Sequence, residues 1–439
     1  TVSKMRRTAI LIACFSCVLV DRSSAQDEPA ETGPERIRIA KLIEELGSSS
    51  YTKRQAASEE LRKIGLKGRP EIETAAKSDD PEVRLRAARL LRRLNVERLW
   101  SGSPFTLVAD NISASEATKQ IGEQTGNQVL VGDQYGTFHD QKIQMNHRGT
   151  TFWQAVDDLC RQSGNRVRSR YGSSRPGLVF ISGNSGKYPT AYAGPVRAQI
   201  TAAKRVFVEE FDYEDATSET THTFQFTVLL SWENRFRIVA HQSQVAISEA
   251  VADTPAKIFG HQASDSSWQV VEKSVQQFST TMKLQPPPQA AKQLKRLKLS
   301  WDLIVVGEPT NLVIEDFASD TVHRQENLAL HIKEMTRVSK TRWEMIVALS
   351  RDMLIPEPED ILFLENEFAL FDADGKPFDL RGTSRLGISD GVAKMKLTFV
   401  SPSGTAQPKQ FIVTYPRIRD QRALPITFKN VSLPVARPE

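Results

Sequence analysis

The chain has 439 residues, 39% hydrophobic and 25% charged, with a formal net charge of +5 and three cysteines. Residues 1–25 hold Lys4, Arg6, Arg7 and Arg22 against Asp21, a net of +3, so only +2 remains for the rest of the chain. That is short of the concentrated basic footprint that nucleic-acid binding requires, and the length calls for about three or four separate cores.

At the N-terminal end, Lys4, Arg6 and Arg7 precede the apolar run Thr8–Val20, and Ser23-Ser24-Ala25 supplies the small residues a signal peptidase reads. Thirteen apolar-dominated residues are too few for a membrane-spanning helix, which needs roughly 20. Residues 1–25 are therefore expected to be an export signal cleaved before Gln26, followed by an acidic linker over 26–34. A lipoprotein reading competes through Leu11-Ile12-Ala13-Cys14, although the apolar run continues past that cysteine. With Cys14 and Cys17 removed, Cys160 stands alone. No internal disulfide can then form, and stability in an oxidising compartment must come from packed cores.

Residues 35–98 are helical and repetitive. Arg54, Ala57, Leu61 and Ile64 recur 30 residues later as Arg84, Ala87, Leu91 and Leu94, each set preceded by a shorter helix. On the last helix, Val83, Ala87, Leu90, Leu91 and Leu94 form an apolar stripe, while Arg86, Arg89, Arg92 and Arg93 gather on the other side. Those arginines are the candidate partner-binding residues, either as an anion-binding face or as a solvated outer surface. The pair of helix pairs resembles two HEAT repeats, above all through D-P-E-V-R-L-R-A-A-R-L-L-R-R-L, and that resemblance implies an interaction scaffold. Because repeats bury their apolar faces only against neighbours, two alone should be marginal, and the short Leu99–Pro104 connection with Trp100 predicts packing against the next domain.

Between Pro104 and Ser182 one small unit is written twice. Gln124-Thr125-Gly126-Asn127 recurs 38 residues on as Gln162-Ser163-Gly164-Asn165. Each copy closes a helix that opens on a capping box, Ser113-x-x-Glu116 and Thr151-x-x-Gln154, and ends on a glycine suited to the left-handed cap. Ala114, Ala117 and Ile121, then Phe152, Ala155, Val156, Leu159 and Cys160, keep the spacing of one buried stripe. With strand-like runs at 105–109, 129–131, 142–147, 167–170 and 178–182, the order is β-α-β-β-α-β-β, an α+β domain over 104–183. Here the residues resemble the short N-terminal (STN) domain of secretins and of TonB-dependent signalling receptors. The resemblance implies a periplasmic module that docks partner proteins and carries no catalytic residues; no outer-membrane barrel or secretin gate region follows.

Beyond a Gly/Ser/Pro-rich linker at 184–195, short runs rich in Val, Ile, Phe and Thr predict antiparallel β-sandwiches: 223–232, 236–240, 245–251, 297–306, 343–349, 392–400 and 409–415. A cut near Asp320 gives two sandwiches, 196–320 and 321–434, with Pro286-Pro287-Pro288 and the basic Lys292–Lys298 stretch as an insertion of the first. The fold class expected is thus multidomain: a helical HEAT-like pair, an STN-like α+β domain and an antiparallel β-sandwich region.

Motifs for a nucleophile elbow, a phosphate loop and a zincin site are absent from the sequence. His139 and His147 are the closest histidines but do not share a helical face; Glu209–Asp215 reads as a solvated acidic loop, and Asp372-Ala373-Asp374-Gly375 as a hairpin turn instead of a calcium loop. No catalytic, cofactor-binding or metal-binding residue is assigned. The sequence points to a non-catalytic exported scaffold, periplasmic or cell-surface associated, docking envelope or secreted proteins that include acidic ones, without nucleic acid or a membrane span in the mature chain. Two other functions stay open: a carbohydrate-binding or carbohydrate-active sandwich protein, for which an exposed row of Trp232, Trp268, Trp301 or Trp343 would speak, and an accessory component of a secretin-type transport system.

Overall fold

The computed structural model describes residues 33–131, 136–169, 177–183, 188–215, 217–254, 257–258, 267–272, 275–288, 290–315, 317, 319–326, 328–351, 366–389, 391–401, 404 and 406–433. The expected export signal, Cys14, Cys17 and nearly all of the acidic linker lie outside the described residues. Two compact units divide between Leu91 and Arg92.

The first unit is helical: α1 (Pro34–Glu45), α2 (Tyr51–Ile64), α3 (Arg69–Ala75) and the start of α4 (Pro81–Trp100). Pro34, Pro70 and Pro81 stand at or beside helix starts, where the missing N–H costs nothing. Asp80 caps α4 by accepting from the backbone N–H of Glu82 at 2.8 Å and Val83 at 3.1 Å. Ile39, Ala57, Leu61, Ile72, Val83, Ala87 and Leu90 are buried, and Ile39, Ile64 and Ile72 converge on Gly68, where no side chain intervenes. The repeated arginine has one task in both copies. Arg54 Nη1 donates to the carbonyls of Ser48 (2.7 Å) and Ser49 (3.1 Å), and Arg84 Nη1 to those of Ser78 (2.6 Å) and Asp79 (3.2 Å). Each guanidinium thus closes the loop ahead of its own helix, which is why that pair recurs.

The second unit opens with the end of α4 and continues into the α+β domain. Its elements are β1 (Pro104–Ser113), α5 (Ala114–Thr125), β2 (Val129–Val131), a short α6 (Gly136–Asp140), β3 (Lys142–Thr151), α7 (Phe152–Ser163), β4 (Asn165–Ser169) and β5 (Leu178–Ser182). The β-α-β-β-α-β-β order is present, with α6 added. β1 pairs antiparallel with β3, while β5 lies between parallel β2 and antiparallel β4. Phe105, Ile121, Met145, Phe152, Leu159, Cys160 and Phe180 fill one core between these layers. Gly126 (φ 68°) and Gly164 (φ 69°) both take the left-handed cap, where a Cβ would be strained. Of the two capping boxes, the second returns its side chain, with Gln154 Oε1 accepting from Thr151 N at 2.9 Å. In the first only Ser113 caps, accepting from Glu116 N at 3.2 Å, and Glu116 instead accepts from Gln120.

Antiparallel sheets make up the remainder. β6 (Thr190–Ala193), β7 (Val196–Asp212), β8 (Thr217–Trp232) and β13 (Gln277–Leu284) form one sheet in the order β13-β8-β7-β6. It faces a second sheet built on β14 (Gln293–Ile314) and β21 (Pro408–Ser432), with β10 (Ala246–Ala252) beside β14. The middle of β14, Leu303 to Val306, also pairs with β9 (Arg237–Gln242). Val228, Leu230, Trp232, Leu297, Trp301, Leu303, Ile426 and Phe428 share the core between them, and Leu99 of α4 enters it. A Cβ on Gly307 would come within 2.5 Å of Leu99 Cδ1, so glycine is what lets α4 settle on β14.

The β14–β21 ladder keeps one register from Gln293↔Ser432 to Ile314↔Phe411 and is interrupted twice, where Lys295 and Asn430 (φ 54°) and then Glu308 (φ 52°) and Arg417 are skipped; the second interruption divides it. Beyond that point the same two strands serve another core. Leu312, Ile314, Phe411 and Val413, with Leu370 from β18 (Glu367–Asp372), pack against β16 (Leu328–Arg337), β17 (Arg342–Arg351) and β20 (Val392–Val400). With β15 (Thr321–Gln325) and β19 (Asp379–Ser389) these form a five-stranded sheet in the order β15-β16-β17-β20-β19. The expected cut near Asp320 therefore matches neither core, since Ile418–Leu433 returns to the first while Leu312 and Ile314 already belong to the second. Nor is Lys292–Lys298 an insertion. It opens β14, burying Leu294 and Leu297 while Arg296 and Lys298 reach out to Glu249 at 2.5 and 2.6 Å.

Candidate docking surfaces

Three of the four candidate arginines of α4 are available to a partner. Arg86 is committed: its Nε sits 2.7 Å from Glu82 Oε1, its guanidinium lies 6.0 Å from the Tyr51 ring, and Glu82 also takes Arg54 at 3.0 Å. The Arg86 hydrogen bond, followed by the charges of Arg86 and Arg54, holds the Glu82 carboxyl below its ordinary range. Arg89, Arg92 and Arg93 are exposed and have no ion-pair partner among the described residues. Leu85, one turn before Arg89, is exposed as well. Elsewhere in the helical unit arginines are paired: Arg36 with Glu71, Arg38 with Glu60, Arg69 with Glu73. Leu91, expected on the buried stripe, is only half-buried.

The duplicated motif of the α+β domain ties each helix end to a strand. Gln124 Oε1 accepts from Thr106 N at 3.1 Å, and Gln162 Oε1 accepts from Gln144 N at 2.9 Å. Thr125 and Ser163 each donate a hydroxyl back to the carbonyl four residues earlier. At the last position both asparagines donate to the carbonyl two residues earlier, Asn165 to Ser163 O and Asn127 to Thr125 O, but only Asn127 is buried and also donates to Glu233 at 3.4 Å and accepts from Asn234 N at 2.8 Å. Glu233, fully buried, also accepts from Ser103 N (2.9 Å), the Ser103 hydroxyl and Arg235 Nε (3.0 Å). Arg235 in turn donates to the Arg98 and Ser101 carbonyls. This seam fixes the α+β domain, the end of α4 and the first sandwich to one another.

A second seam frames a polar cleft of about 520 Å³ beside α7. Asp157 receives Arg197 and the Tyr192 hydroxyl (2.8 Å), Arg197 stacks 4.2 Å over Trp153, and the Trp153 indole donates to Pro195 O at 3.0 Å. Burial, and then the Asp157 carboxylate, push the Tyr192 phenol well above its ordinary value. In the same cleft His147 Nε2 lies 3.0 Å from Asp158 Oδ2, and its Nδ1 lies 3.0 Å from Thr150 Oγ1. The order hydroxyl, imidazole, carboxylate is that of a nucleophile relay. Here, however, Asp158 also binds Arg161 and Gln162, and the adjacent Gly149 N–H is spent on Thr106. The arrangement therefore braces β3 against α7. In the sequence His147 is notable only as a neighbour of His139; the signal for this cluster is the Asp157-Asp158-x-x-Arg161 spacing on one helix turn.

Other singled-out residues fall apart spatially. Trp232 and Trp301 are fully buried, while Trp268 and Trp343 are half-buried against separate clusters, so the four form no exposed row. Asp372 Oδ1 accepts from Asp374 N and Lys376 N, which makes 372–375 a tight turn. Glu209–Asp215 lies at the end of the β7–β8 ribbon, with Phe211 and Tyr213 exposed in contact at 4.9 Å. Among the described residues no helix is long and apolar enough to cross a membrane, and no three His, Cys, Asp or Glu side chains group as for a metal.

No family model matches the chain, and no curated protein matches it. Among solved structures, "The crystal structure of the conserved domain protein from Bacillus anthracis" is similar at 11% identity, covering 55% of this chain and 89% of that one, with a TM-score of 0.17. A likeness that low carries no argument about fold or function.

Proposed function

We propose that this protein is an exported, non-catalytic docking scaffold that binds envelope or secreted proteins, acidic ones among them, through its helical and STN-like regions. The observation that carries this reading is the state of Arg89, Arg92 and Arg93: exposed and without an ion-pair partner among the described residues, where Arg36, Arg38 and Arg69 are paired. A guanidinium grips a carboxylate at two points and keeps its charge at any physiological pH. Within the STN-like region the seams at Glu233 and Asp157 support the same reading, because a surface held on a stiff frame loses little entropy when a partner docks. Immobilised full-length protein should retain acidic proteins from an envelope extract at low salt and release them as salt rises. Retention of nothing above a bare matrix would overturn the proposal.

A further inference from the structure

The outward face of the second sandwich contains a hollow with no assigned role. Along β16, β17 and β20, Leu328, Leu330, Ile332, Met345, Val347, Leu349, Met395 and Leu397 point into the core, so their neighbours point out. The cross-strand register sets those neighbours in two adjacent rows. One runs Val322↔His331↔Ala348↔Lys394, and the other Arg324↔Ala329↔Ser350↔Val392↔Ser389. Between His331 and Arg324 on one flank and Lys394 on the other, the inner positions are Ala348 in the first row and Ala329 and Ser350 in the second. With no long side chain there, the sheet leaves a groove of about 360 Å³, whose rim carries Arg324, His331, Lys333 and Lys394.

The rim cations are not equivalent. Asp320 accepts from His331 Nε2 at 2.7 Å and lies 3.7 Å from Lys333, and those contacts, His331 first, hold its carboxyl below the ordinary range. Arg324 and Lys394, on opposite sides of the small-residue floor, have no ion-pair partner among the described residues. Farther along the same face the pattern reverses: Lys396 and Arg342 both pair with Glu344 at 2.6 Å. This sheet neutralises its outer cations except across the hollow, where two unpaired charges above a low-dielectric floor concentrate a positive potential.

We propose that this groove binds a small oxyanion ligand carrying two or more phosphate or carboxylate groups. Arg324 and Lys394 stand three strand spacings apart and two residues offset along the strands, about 16 Å between backbones. Side chains reaching inward from both flanks leave room for a ligand with separated charges, not for one carboxylate alone. Ser350 and Ser389 supply hydroxyl donors along the floor and its far end. No Phe, Tyr or Trp is among the lining residues, so recognition rests on charge and hydrogen bonds, with Arg324 as the two-point contact.

Calorimetric titration of the full chain with pyrophosphate, citrate and acetate tests this. Pyrophosphate or citrate should bind at least tenfold more tightly than acetate, and which of the two is preferred distinguishes a phosphate from a carboxylate source. Arg324→Gln and Lys394→Gln, both at solvent-facing positions, should each weaken binding tenfold or more, whereas Lys396→Gln on the same face should not. Failure of both polyanions to bind, equal affinity for acetate, or equal weakening by Lys396→Gln would overturn the assignment.

Discussion

Trp100 donates its indole N–H to the Asp420 carboxylate at 2.7 Å, joining two residues 320 apart in sequence. Its ring meets Phe236 edge-on at 5.1 Å and lies under the Arg422 guanidinium at 4.8 Å, so the end of α4 is clamped to the last strand of the first sandwich. Trp100→Ala should destabilise the full chain by about 3 kcal/mol, from lost aromatic packing. Trp100→Phe should cost only about 1 kcal/mol, because the ring contact survives and Asp420 keeps Arg422. Denaturant unfolding of both variants checks this; equal losses would mean that packing contributes nothing.

The buried Glu233 carboxylate should be the costliest polar side chain to remove from its seam. Glu233→Ala removes the buried carboxylate that Asn127, Ser103 and Arg235 share, and breaking such a buried pair costs roughly 3–5 kcal/mol. Asn127→Ala should be strongly non-additive with it, since both remove the same contact. A double-mutant cycle in urea reads the coupling, and simple additivity would show that the seam is not a unit.

Stability should fall as pH drops below about 6.5, partly through His241. Its ring is stacked on Phe278 at 4.1 Å and edge-on to Trp301 at 5.7 Å, and burial lowers its pKa. The unfolded chain therefore takes up the proton first, so the stabilisation is complete above the unfolded value and is lost as pH falls toward the folded one. His241→Phe keeps the stacking surface, and Gln242 O retains the Trp301 indole as donor at 3.1 Å. The variant's urea midpoint should change less than the parent's between pH 7.5 and pH 5; matching changes would remove His241 from the explanation.

Cys160 is buried on the inner stripe of α7. Its thiol should react slowly with an aromatic disulfide reagent in the native protein and fast in denaturant. Fast native labelling at Cys160, located by peptide mapping, would contradict the packing of that helix.

What the sequence disclosed was local. Ser113, Thr151, Gly126 and Gly164 announce helix ends because caps act within four residues, and the recurrence of Arg54 as Arg84 exposed a loop contact made twice. The long ladder was read as two short runs, because Gly307, Glu308 and Pro309 look like a strand end where the structure skips one residue and continues. Glu233 falls between the expected strands 223–232 and 236–240, and nothing near it in sequence reveals Ser103 or Asn127. Of the candidate site, the four arginines were legible by spacing alone, but the commitment of Arg86 to Glu82 beside Tyr51 depends on how α2 meets α4.

The docking account is tested most directly by the affinity of an acidic partner, captured from an envelope extract, for the parent and for a variant carrying Arg89→Gln, Arg92→Gln and Arg93→Gln. The three positions are exposed, so the variant should melt like the parent. The account predicts at least tenfold weaker binding at low salt and a flatter dependence on salt concentration. Unchanged affinity at low and high salt would contradict it, and would place the docking surface away from α4.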